Sequence, residues 1–177
     1  MNMRRKVLAV ILTVGLVTYA GACQTLGLSE PPLTASLRTD SAEIGVHMSG
    51  FTYLAKIGFV YVNTTSGPVS KAGCGFPPFP DLQKKVDGKW VAAYYPVYLA
   101  CLTKPDFALR SGESYQGVLE FMASQPGHQT DPTLLVDSID GTYRLEWDFA
   151  QGTDTEIKGA RTVHAFSNEF RMVLTPR

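Results

Sequence analysis

Residues 142–149 alternate without a slip. Tyr143, Leu145, Trp147 and Phe149 fall on one side, and Glu146 and Asp148 fall opposite Leu145 and Trp147. Successive side chains of an extended chain point to opposite faces, so this octet matches a strand with one buried and one solvated face. The same grammar recurs along the chain. Phe51 to Asn63 carries Ile57, Phe59 and Tyr61 between Gly58, Val60 and Val62. It is apolar on both faces at its centre, as in a central strand. Further strands are expected at Leu33–Arg38, Tyr98–Thr103, Tyr115–Met122 and Phe166–Leu174. No window sustains a helical period.

Turn chemistry separates these runs. Asp87-Gly88 between Leu82–Val86 and Lys89–Tyr94 is a hairpin signal, because both residues tolerate the positive φ angles of a type I′ turn. Asn63 to Pro68 and Leu109 to Glu113 read as further turns, and Gln151 to Gly159 as a polar loop. Short strands at intervals of about 8–12 residues, with turns between, predict an antiparallel β-sandwich of about 7–9 strands.

The start of the chain obeys a different rule. Arg4, Arg5 and Lys6 precede an apolar run from Val7 to Tyr19, and Ala20-Gly21-Ala22 leads to Cys23. Basic, apolar, small is the order of a secretory signal peptide. A permanent membrane helix fits less well. Val7 to Ala22 spans only ~24 Å at the helical rise, against a hydrocarbon core of roughly 30 Å. No basic cluster follows the run.

Ala20-Gly21-Ala22-Cys23 resembles the lipobox of bacterial lipoproteins, with Ala20 where that family more often has Leu. The resemblance implies that residues 1–22 are a lipoprotein signal peptide and that Cys23 becomes the lipidated first residue of the mature chain, carrying palmitate among its acyl groups. Gln24 in the next position implies outer-membrane sorting in a Gram-negative cell. Two or three acyl chains at about 0.8 kcal/mol per buried methylene make a lasting membrane attachment. Residues 23–32 then form a linker with Gly, Ser and a Pro pair, and 33–177 the folded domain.

Charge limits the partners. The chain has 16 basic and 16 acidic residues. Without Arg4, Arg5 and Lys6 the mature part carries 13 against 16, a net charge of −3. Such a surface gives no case for nucleic acid. With Cys23 lipidated, Cys74 and Cys101 remain as a pair, which in an oxidising compartment is most simply a disulfide. Closing that loop of about 28 residues stabilises the fold by about 3.5 kcal/mol in the chain-entropy picture. A nucleophilic role for either Cys lacks a nearby base.

A larger resemblance rests on scattered strings. They are Val60 to Thr65, Cys74, Val86-Asp87-Gly88-Lys89-Trp90-Val91, Cys101, the Leu109–Glu113 turn, Gly141 to Leu145 and Ser167 to Phe170. Together they resemble the immunoglobulin-like sandwiches of bacterial envelope lipoproteins and the fold of the small intracellular proteinase inhibitors of bacilli. The disulfide departs from that of antibody domains, since Cys74 follows a strand in a Gly-Pro-rich loop. Trp90 and Trp147 are core candidates, with Trp90 also placed to be exposed beside its hairpin.

Chemistry-bearing motifs are sparse. Gly-x-Ser-x-Gly, Ser-x-x-Lys, His-Glu-x-x-His and phosphate-binding glycine loops are absent. His47, His128 and His164 show no metal-ligand spacing, and no cofactor or metal is implied. Asp137, Asp140, Glu146 and Asp148 crowd one region and read first as a solvated outer face. Asn63-Thr64-Thr65 matches a glycosylation sequon but reads more simply as a turn. Phe76, Pro77, Pro78 and Phe79 form a preset, Pro-rich segment that either presents two aromatic anchors to a partner or tucks them onto the core. Tyr94, Tyr95 and Tyr98 pose the same choice.

The sequence therefore favours an envelope lipoprotein without enzymatic activity, held to the membrane and binding an envelope protein or wall component, or serving structurally. A proteinase inhibitor using Phe76–Pro80 and a hydrolase with dispersed carboxylates are the alternatives.

Overall fold

A computed structural model describes residues 36–71, 79–95, 107–128, 131–152 and 161–176. The described chain is all-β. Its strands are β1 (Leu37–Thr39), β2 (Glu43–Ser49), β3 (Thr52–Val62), β4 (Val69–Lys71), β5 (Asp81–Val86), β6 (Lys89–Ala92), β7 (Phe107–Leu109), β8 (Ser114–Ser124), β9 (Gly141–Gln151), β10 (Thr162–Phe166) and β11 (Phe170–Leu174). No helix occurs among the described residues.

The strands join in one curled, mixed sheet rather than the wholly antiparallel arrangement expected from the sequence, and the described residues alone form eleven strands where 7–9 were expected. The reason is β2. Its first half, Glu43 to Val46, runs parallel to β11, and its second half, His47 to Ser49, pairs antiparallel with β3. One strand thus belongs to both halves of the curl. Its alternation of Ile44 and Val46, both buried, with exposed Glu43, Gly45 and His47 is the signature that makes it a strand.

In one half, β3 is central as its two apolar faces predict. It pairs with β8 along its whole length on one edge, and with β1 and β2 on the other. Gly117 of β8 has no side chain because the Phe59 and Tyr115 rings occupy the space. A Cβ there would lie 2.6 Å from the Phe59 ring.

In the other half β9 is central. One edge carries β10 and then β11, and the other carries β4 and then β5. The single last strand expected over Phe166–Leu174 is divided. Phe166 pairs with Glu146 and Phe170 with Tyr143, so four steps face three and the chain bulges between them. The bulge is fixed by side chains. Ser167 Oγ accepts from Leu145 N–H, and Asn168 bonds both the backbone N–H and the hydroxyl of Thr39 in β1. The Asp87-Gly88 turn forms as expected, with φ of 50° and 76°, joining β5 to β6.

The two halves face each other across an aromatic core. Phe59, Tyr61 and Tyr115 from β3 and β8 meet Trp147 and Phe149 from β9 and Phe107 from β7. The Phe59 and Trp147 rings meet edge to face at 5.3 Å, and Tyr61 stacks on Phe149 at 4.5 Å. Such pairs contribute about 0.5–1.5 kcal/mol beyond the area they bury. Asn63 closes the end of β3. Its side-chain amide donates to the carbonyls of Gly67 and Leu109, and its oxygen accepts from Thr65. This network accounts for the Asn63-Thr64-Thr65 string as a turn.

Candidate functional site

The alternation that buries Tyr143, Leu145, Trp147 and Phe149 turns Arg144, Glu146 and Asp148 outward. Register then decides their company. Asp81 of β5 and Phe166 of β10 flank Glu146, Gln83 flanks Arg144, and His164 flanks Asp148. Directly paired residues of antiparallel strands share a face with Cβ atoms about 4.5–5.5 Å apart. Six polar side chains from three strands therefore stand together on the outer surface.

Their contacts are specific. His164 Nδ1 lies 2.7 Å from Asp148 Oδ1. Gln83 Nε2 donates to Glu146 Oε2, and Arg144 Nε donates to Gln83 Oε1 at 2.7 Å. The Arg144 guanidinium is held between two rings, 4.5 Å from the Trp90 centroid and 4.0 Å from that of Phe166. Lys85 approaches the same Trp90 ring and pairs with Glu169 at 2.9 Å. Glu146, Asp148 and His164 each offer a ligand atom, all within 4.8 Å of one another.

Electrostatically the cluster is under-compensated. Loss of hydration pushes the Glu146 carboxyl up, Asp148 and Asp81 push it further, and Arg144 and His164 oppose the rise. Asp81 is pushed up by loss of hydration, pulled back by Lys71 and raised again by Asp148. Asp81 and Glu146 are direct cross-strand partners of like charge, an arrangement that costs rather than stabilises.

The four acidic residues that crowd the sequence separate in space. Asp137 and Asp140 act instead on Lys84, whose buried amine donates to the Ser138 carbonyl and sits 5.7 Å from the Tyr143 ring. Burial lowers the Lys84 pKa, and Asp140 and then Asp137 oppose that. Asp140 also accepts from Leu174 N–H, which makes it a fastening of β11.

A second surface lies on the outer face of β3 and β8. A groove of about 960 Å³ runs between the Asp40–His47 segment and the side chains of Leu54, Lys56, Val118 and Met122. Lys56 pairs with Glu120 at 3.2 Å within it.

Of the residues singled out by sequence, Cys23, Cys74, Cys101, Phe76, Pro77, Pro78 and Tyr98 lie outside the described residues. Phe79 is half-buried and packs against the core. Tyr94 is buried, Tyr95 is exposed, and Trp147 is fully buried. Trp90 is half-buried on the outer face, not in the core. His128 stacks on Phe51, and His47 lines the groove. Sequence reasoning missed the partnership of His164 with Asp148. Thr162 to Phe166 does alternate, and reading it as the return arm of a β9 hairpin was the available signal. Asp81 offered none, because its neighbour Glu146 is distant in sequence.

No protein-family model, no curated protein and no solved structure matches the chain.

Proposed function

We propose that the chain is a lipid-anchored protein of the bacterial cell envelope, whose all-β domain acts as a non-enzymatic binding or structural module. The observation that carries this reading is the order Arg4-Arg5-Lys6, Val7 to Tyr19, Ala20-Gly21-Ala22, Cys23. Gln24 supports outer-membrane sorting. The immunoglobulin-like reading of the domain draws support from two facing halves with a shared aromatic core, and from β2, which serves both. The partner is an envelope protein or wall component. Support for a binding role comes from the outer face of β5, β9 and β10, where Trp90, Arg144 and Phe166 form a presented stack beside charged groups.

Cys74 and Cys101 form the remaining disulfide in this proposal. Lys71, three residues before Cys74, pairs with Phe107, six residues after Cys101, so the described residues nearest the two Cys are neighbours in the sheet.

The test is metabolic labelling with radioactive palmitate in a Gram-negative host, followed by mass spectrometry of the mature N-terminus. The wild-type chain takes up label and begins at an acylated Cys23, and Cys23→Ser takes up none. An unlabelled wild-type chain, or one still beginning at Met1, overturns the reading.

A further inference from the structure

We propose that Glu146, Asp148 and His164 form a binding site for one divalent transition-metal ion of the zinc class on the outer face of β9 and β10. The proposal is independent of the membrane address and does not need it.

The geometry carries the argument. Glu146 and Asp148 are two residues apart on one strand, so both project from the same face. His164 is the direct partner of Asp148 on the next strand. Two ligands from one strand and a third from its neighbour are thus placed by backbone pairing alone. Their donor atoms lie within 4.8 Å of one another. Donors bound to one ion at about 2.0–2.2 Å stand somewhat closer than that, a shift within reach of side-chain torsions. The strand beneath is anchored by the fully buried Tyr143, Leu145, Trp147 and Phe149, so the platform is rigid where the ligands attach.

The donor set selects the ion. One imidazole nitrogen and two carboxylates suit zinc and its neighbours, whereas calcium and magnesium take oxygen ligands. Three protein ligands leave a fourth position for water.

A further observation points to a cation. Asp81 and Glu146 are direct cross-strand partners of like charge, and Asp148 stands two residues along from Glu146 on the same face. Arg144 supplies one charge against these three carboxylates; its guanidinium is held between Trp90 and Phe166 and its Nε donates to Gln83.

The test is calorimetric titration of the metal-free full chain in detergent with zinc chloride alone. One zinc binds per chain, and Asp148→Asn and His164→Gln each weaken it by more than about tenfold. Lys56→Ala, on the opposite half, leaves it unchanged. Because a ligand variant can also disturb the β9–β10 hairpin, the histidine ring resonances of the unaltered ligand set are followed by NMR during the same titration. His164 shifts, and His47 and His128 do not. Absence of binding up to about 1 mM zinc, a millimolar Kd being the weakest that has meaning here, overturns the proposal. So does binding that shifts His47 or His128 and not His164.

Discussion

The molecule presents two outer sheet faces built by the same rules and filled in opposite ways. On β3 and β8 two neighbouring outward pairs are complementary. Leu54 faces Met122, and Lys56 faces Glu120 and pairs with it. On β5, β9 and β10 the central pair is Asp81 against Glu146, and the imidazole of His164 sits on the next carboxylate. Backbone pairing is regular in both, so the difference lies in the side chains. The first face is satisfied as it stands. The second holds negative charge that its own cations do not neutralise. A fold that tolerates such a conflict on a rigid sheet centre has a reason outside stability, and residues that break the local rule mark where function is to be sought.

The largest effect is expected from removing what lies under the polar face. Trp147 touches Phe59, Tyr61, Phe107, Tyr115 and Phe149 and is fully buried. Trp147→Ala is expected to cost about 3–5 kcal/mol in urea unfolding, and to abolish zinc binding with the platform.

A smaller effect is expected from relieving the charge conflict. Asp81→Asn in the metal-free protein is expected to stabilise at pH 7 by about 0.2–1 kcal/mol. The sign in pH follows from the direction of the shifts. Asp81 and Glu146 are both raised in the folded state, so the folded chain binds protons more readily than the unfolded one. Their contribution favours the fold below the ordinary carboxylate range and is lost as pH rises through the raised values. The wild-type chain therefore gains from these two groups on mild acidification, and Asp81→Asn gains less. Equal slopes of stability against pH in the two proteins would contradict the conflict.

The smallest effect belongs to the satisfied face. Lys56 and Glu120 are both largely exposed, and Lys56→Ala is expected to change stability by less than about 0.5 kcal/mol.

Much of the fold was legible in the sequence, and the site was not. β3, β8, β9 and the β5–β6 hairpin are each written locally, in alternation and in Asp87-Gly88. β2 carries a similar alternation, but its division between two partners depends on β11, more than a hundred residues away. The bulge at Ser167–Glu169 depends on Thr39 in the same way. The outward direction of Glu146 and Asp148 was readable from period alone. Their meeting with Asp81 and His164 was not, because register between distant strands is set by tertiary packing. Trp90 shows the limit from the other side. Its size points to the core, but its place opposite Lys85 turns it outward to cover Arg144.

Whether the polar face is an unneutralised ligand set is read out by urea unfolding with and without zinc. A ligand that binds only the folded chain adds stability by mass action. At pH 7 the account predicts a rise in unfolding free energy with zinc for the wild type and a smaller one for Asp148→Asn at the same zinc concentration. Near pH 4.5, the ordinary value for a glutamate, the gain shrinks as Glu146 and Asp81 take up protons. No gain at pH 7, or the same gain at both pH values, would contradict it.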